Sequence, residues 1–170
     1  IDAKNPKLYM PITGSPDYGV KVREMLFGEG HAVVGDGRSA TAHTPGGTGA
    51  LRVGADFLRF AFPGASVWMS RPTWANHKGV FSAAGFEAKE YAYYDATTKA
   101  LDFEGMMNDL RGVPAGDIVL LHVCCHNPTG VDLTMEQWKA EADLAKENGW
   151  MPFLDFAYQG FGDSLEEDRE

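Results

Sequence analysis

Cysteine is nearly missing from this chain: residues 124 and 125 hold the only two, side by side. Neighbouring side chains of a strand face opposite ways, so this pair is badly placed to bridge itself. A disulfide scaffold is excluded, and a reducing, cytoplasmic setting is the expectation. Long apolar runs are missing too. No stretch of 18 apolar residues and no signal-peptide pattern occurs, so no membrane partner is expected. Basic charge is scarce: 15 Lys and Arg stand against 24 Asp and Glu. Residues 132–170 carry 11 acidic and 3 basic side chains, which leaves 13 and 12 for residues 1–131. An acidic final third with a balanced remainder excludes non-specific nucleic-acid binding, which requires a basic surface. Repeats, low-complexity tracts and long linkers are absent as well.

What is present suits one α/β domain. The length of 170 residues suffices for a sizeable core, and 44% hydrophobic with 23% charged residues is ordinary for a globular protein. His31-Ala32-Val33-Val34 is a short apolar run closed by Gly35. Thr48 to Phe60 has helical spacing with Leu51, Ala55 and Leu58 on one face. Ser66 to Met69 is expected to be a strand, Asn76 to Ala84 a helix ending at Gly85, and Glu87 to Tyr93 an exposed strand. Phe103 to Leu110 suits a helix. The nearly continuous apolar run Asp117 to Val123 suits a strand covered on both faces. Thr134 and Gln137 form a capping box that starts a helix to Asn148, with Trp138, Ala142 and Ala145 as its apolar stripe and Gly149 as its left-handed stop. Trp150 to Leu154 then leads into Asp155, and Pro152 confines that segment to a sheet edge or a strand start. The alternation predicts a mainly parallel sheet flanked by helices, whose ligands sit at the carboxyl ends of the strands. His122, Asn127, Asp155 and Tyr158 all fall just inside or after such ends.

Several segments could carry chemistry. Thr44-Pro45-Gly46-Gly47-Thr48-Gly49 opens a helix, where backbone amides and partial positive charge suit an anion. No Lys-Ser/Thr follows, so it is no Walker loop; a phosphate cradle and a plain glycine-rich turn both fit. Gly35-Asp36-Gly37-Arg38-Ser39-Ala40 imitates a dinucleotide fingerprint, but no helical pattern follows it and a hairpin turn is the expectation. His122, Cys124 and His126 share one face only if the strand runs on, and Pro128 and Gly130 turn the chain away before a fourth zinc ligand. No metal is expected. Trp74, beside a proline turn, suits either core packing or stacking on an aromatic ligand. Asp155 follows a mostly apolar run and must find a partner, which a cationic heterocycle or an arginine would supply. Asn127, Asp155 and Tyr158 together offer an amide, a carboxylate and a phenol, groups that can hold the polar edge of a pyridine ring.

Five segments in this order resemble the aspartate and aromatic amino-acid aminotransferases, the class I, fold-type I pyridoxal-phosphate enzymes. They are Thr44 to Leu51, Trp74 to Lys78, Tyr91 to Asp95, Cys124 to Gly130 and Asp155 to Phe161. The resemblance implies the first part of the large cofactor-binding domain over residues 1–170, with the N-terminal arm, the rest of that domain and the small domain outside it. It implies that Gly47 and Thr48 hold the phosphate of pyridoxal 5′-phosphate. Trp74 stacks on the ring, Asp155 pairs with the ring nitrogen, and Asn127 and Tyr158 bond the phenolic oxygen. Trp74 and Asn127 also approach the substrate, His77 supports Asp155 from behind, and His122 sits near the ring. Tyr9 reaches the phosphate of a partner subunit, so a homodimer is implied. The substrates implied are an amino acid such as aspartate and a 2-oxo acid such as 2-oxoglutarate, with aromatic amino acids as the alternative. In this family the Schiff-base lysine follows the Asp-x-x-Tyr segment, as do the arginines that bind substrate carboxylates. No lysine follows Lys146 here, and neither Arg71 nor Lys146 matches a functional position. Ile1 and the acidic stretch ending at Glu170 are therefore expected to be cuts in a longer chain, and these residues alone to be inactive. The competing expectation is an inactive, free-standing half-domain that binds a phosphorylated ligand or a partner.

Overall fold

A computed structural model describes residues 8–170. Its elements run α1 (Pro16–Phe27), α2 (Ala32–Gly35), α3 (Gly46–Ala61), β1 (Val67–Arg71), α4 (Asn76–Ala83), β2 (Ala88–Ala92), β3 (Tyr94–Asp95), β4 (Ala100–Leu101), α5 (Phe103–Arg111), β5 (Ile118–His122), α6 (Met135–Asn148) and β6 (Met151–Asp155). Four strands form a parallel sheet in the order β2-β1-β5-β6, and β3 and β4 make a small antiparallel ribbon. The expected α/β architecture is thus present. Among the described residues no helix is long and apolar enough to cross a membrane.

The period of two along β5 divides the core. Ile118 and Leu120 face one side with Val67, Met69, Leu51, Ala55, Leu58 and Phe81. Val119 and Leu121 face the other with Tyr91, Met106, Leu110, Leu144 and Trp150. Every residue of β5 is buried, which is why its sequence is an apolar run without alternation. Burying four such side chains contributes roughly 1.5–3 kcal/mol each. At the amino end, the Asp117 carboxylate accepts from the Ser66 amide (2.9 Å) and the Trp68 indole (2.9 Å), fixing β1 beside β5. Gly54 lets α3 approach the sheet closely; a Cβ there would stand 3.0 Å from the Phe153 ring.

Three expectations change. The run His31 to Val34 belongs to a single helical turn capped by the His31 side chain, so the glycines at 35 and 37 make no hairpin. Helix α3 begins two residues earlier than its spacing suggested, drawing Gly46 and Gly47 into the first turn. Helix α6 starts with the Thr134–Gln137 capping box and stops at left-handed Gly149, both as expected, but Ala142 is exposed. The inward positions are Glu141 and Leu144, flanked by partly buried Trp138 and Ala145. A stripe scored on apolarity passes over a buried glutamate.

Candidate active site

Parallel register builds the site from the backbone. His122 is the last residue of β5 and Asp155 the last of β6, and the two are directly paired across the ladder. The loop after β1 delivers Thr73 and Trp74, and α4 delivers His77. Val123 to Asp132 carries Asn127, and the turn after β6 carries Tyr158. Gly47, Trp74, His122, Asn127, Asp155 and Tyr158 converge on one cavity of about 110 Å³. Thr48 lies on the next residue of the same helical turn, exposed. Tyr9 is fully exposed and takes no part in that cavity.

Behind the cavity runs a line of hydrogen bonds. Asp155 Oδ2 lies 2.8 Å from His77 Nε2, His77 Nδ1 lies 2.8 Å from Thr73 Oγ1, and Thr73 Oγ1 lies 3.0 Å from His122 Nε2. The Asn127 amide points at His122 Nδ1 at 3.4 Å. An amide only donates and a carboxylate only accepts, so the two ends set the direction. Asn127 N–H donates to His122, His122 Nε2–H to Thr73, the Thr73 hydroxyl to His77, and His77 Nε2–H to Asp155. Thr73 was not singled out in the sequence, although its place beside Trp74 was the available signal.

Electrostatics follow from this arrangement. Burial pushes the Asp155 carboxyl upward, but the hydrogen bond from His77, with His122 beyond, holds it below the ordinary carboxylate range. Burial and neighbouring His77 lower the His122 imidazole to about 4, and burial with neighbouring His122 lowers His126 to about 3. Both rings are neutral at pH 7. The rings of His122 and His126 lie 4.3 Å apart, yet their nitrogens are already engaged. His126 meets Ser70 at 2.9 Å and Thr129 at 2.8 Å, while Tyr93 stacks on its ring at 3.9 Å. The strand stops at His122, and Cys124 turns toward Asp168 (3.7 Å). Among the described residues no group of three His, Cys, Asp or Glu side chains is arranged to hold a metal.

The donor set fits a flat heterocycle carrying a phosphate. Helix α3 has no side-chain cap at Pro45, and among the described residues no side chain takes the amides of its first turn. A Cβ on Gly47 would meet no atom within 4 Å, leaving open space at that helix start. Trp74 offers an aromatic face, Asp155 an anion for a cationic nitrogen, and Asn127 and Tyr158 polar groups for an oxygen.

The family described as aminotransferase class I and II matches residues 2–168. An aspartate aminotransferase of Escherichia coli (strain K12) is 54% identical over 170 residues, which cover 100% of this chain and 43% of that relative. An aromatic-amino-acid aminotransferase of the same strain is 50% identical over 161 residues, 95% of this chain and 41% of the relative. The crystal structure of an aromatic-amino-acid aminotransferase from Burkholderia pseudomallei, covalently bound to pyridoxal phosphate, superposes with a TM-score of 0.96 at 48% identity. That match covers 99% of this chain and 42% of the other. The chain thus spans less than half the length of the relatives it matches.

Proposed function

The chain belongs to the aminotransferase class I and II family, and from that premise we propose that it forms part of the pyridoxal-phosphate-binding domain of a transaminase. The intact protein transfers an amino group between aspartate, or a related amino acid, and a 2-oxo acid such as 2-oxoglutarate. The observation that carries this reading is Asp155, a carboxylate at a strand end, hydrogen-bonded to His77 and opening onto the same cavity as Trp74, Asn127, Tyr158 and the start of α3. Aromatic amino acids are the second reading, favoured by the similarity to an aromatic-amino-acid aminotransferase.

When bound, pyridoxal phosphate supplies an electron sink for the carbanion formed at the substrate α-carbon. The residues here bind and orient it. Gly47 and Thr48 offer amides, and Thr48 a hydroxyl, to its phosphate at the start of α3. Asp155 holds a proton on the ring nitrogen, and its depressed pKa keeps it anionic for that task. His77 anchors Asp155, and His122 extends that support through Thr73. Trp74 packs on the ring face; Asn127 and Tyr158 hydrogen-bond the phenolic oxygen. Trp74 and Asn127 also approach the substrate carboxylate. Tyr9, exposed at the start of the described residues, reaches the phosphate site of a second copy in a homodimer. Turnover needs groups beyond this segment, including the lysine that tethers the cofactor. The free cysteines agree with a cytoplasmic setting.

The test is Asp155→Ala in the intact protein. The cofactor should stay bound while kcat drops about 10²–10³-fold, the scale of losing one aligned electrostatic partner. Unchanged turnover would make Asp155 a structural residue and sink the ring-nitrogen assignment. Comparing kcat/KM for aspartate and phenylalanine decides between the two substrate readings.

A further inference from the structure

The loop that presents Asn127 is held by a carboxylate with no assigned part in the chemistry. After β5 the chain enters a left-handed turn at Cys125, with φ of 50°. Asp132 reaches back across the loop. Its Oδ2 accepts from the Cys125 amide at 2.6 Å and its Oδ1 from the His126 amide at 2.7 Å. Two successive amides turned toward one side form a concave anion site. Here the chain supplies its own anion, seven residues on. The left-handed conformation is disfavoured for a residue with a Cβ, so it persists only where surrounding contacts over-determine it. The amides bound by Asp132 are the two immediately before Asn127.

We propose that Asp132 is a positioning residue: by clamping the Cys125 and His126 amides it fixes the backbone of Asn127, and so the aim of the Asn127 side chain into the site. This rests on the functional reading above. The Asn127 amide itself meets His122 Nδ1 at 3.4 Å, a longer contact than either Asp132 bond, and two further grips on the loop act elsewhere. The Tyr93 hydroxyl donates to the Val131 carbonyl (2.6 Å), and the Gly130 amide to the His126 carbonyl (2.7 Å). Neither touches the amide of Cys125 or of His126. Asparagine at position 132 would keep one acceptor but turn an NH₂ group toward the second amide, donor against donor.

The experiment titrates the apo form of the intact protein with pyridoxal 5′-phosphate and follows absorbance. Asp132→Asn should weaken cofactor affinity about tenfold, the scale of one lost hydrogen bond to a charged group. In an Asn127→Ala background the same substitution should change affinity less than about twofold, because the group it aims is gone. A general loss of stability would instead weaken both backgrounds alike. Adding Cys125→Gly to Asp132→Asn should restore most of the affinity, since glycine adopts the left-handed turn without help. Should Asp132→Asn not accumulate folded, Cys125→Val carries the test, straining the same turn while Asp132 is intact, with the same dependence on Asn127. Equal weakening with and without the Asn127 side chain, or wild-type affinity in Asp132→Asn, overturns the proposal. Wild-type protein that takes up no pyridoxal phosphate would overturn the functional reading itself, which separates the two failures.

Discussion

Glu141 carries a charge problem that can be measured. It lies on the inward face of α6, 3% exposed, and its Oε1 has no hydrogen-bond partner among the described residues. Burial raises its carboxyl from an ordinary 4.5 to about 7. In the unfolded chain the group ionises near its ordinary value, while in the folded chain it resists ionisation until about pH 7. The stability tied to the neutral form is therefore fully present below about pH 4.5, declines as pH rises, and is gone above about pH 7. The interval is about 2.5 pH units, and at ~1.36 kcal/mol per unit the loss is roughly 3 kcal/mol. Glu141→Leu removes the titration and places an apolar side chain on the buried helix face that Leu144 shares. Urea denaturation of the intact apo-protein at pH 5 and pH 8 provides the assay. The variant should gain little at pH 5 and about 3 kcal/mol more at pH 8. An equal advantage at both pH values, or none at pH 8, would show that the carboxylate finds water or a partner and refute the reasoning.

Other substitutions separate scaffold from site. His77→Ala in the intact protein removes the group that holds Asp155 below the carboxylate range, so the acid limb of a kcat/KM profile should move to higher pH; a stationary limb would assign that limb to another group. Asp117→Ala strands the Ser66 amide and the Trp68 indole and should cost about 2–4 kcal/mol in urea denaturation. It lies at the opposite end of β5 from His122, so cofactor affinity should stay at the wild-type value. Thr134→Ala breaks the capping box of α6 and should cost about 1 kcal/mol by the same assay. Gly149→Ala places a Cβ at φ of 75° and should cost about 1–2 kcal/mol, although the added carbon meets only ordinary contact with Ala115.

The scaffold was legible in the sequence wherever local physics decides alone. The buried run at β5, the box and stop of α6, and the apolar face of α3 each depend on residues close in the chain. Strand ends then told where His122, Asn127, Asp155 and Tyr158 must gather, since a parallel sheet aligns its carboxyl ends. The pairing of His77 with Asp155, 78 residues apart, came from resemblance; no local pattern encodes it. Thr73 and Asp132 stayed invisible because threonine and aspartate abound in loops, and only the folded chain shows what their oxygens face. Glu141 was passed over because a charged residue on an amphipathic helix is assigned to solvent by default.

The line from the Asn127 amide to Asp155 has a consequence in the counting of states. Two imidazoles and one freely turning hydroxyl could place their hydrogens in several ways. Tied between a group that only gives and a group that only takes, they have one arrangement that satisfies every contact. In that arrangement each ring carries its hydrogen on Nε2. Valine at position 73 would keep both outer contacts and strand the two inner ring nitrogens, so Thr73 is the group that joins the two histidines into one line.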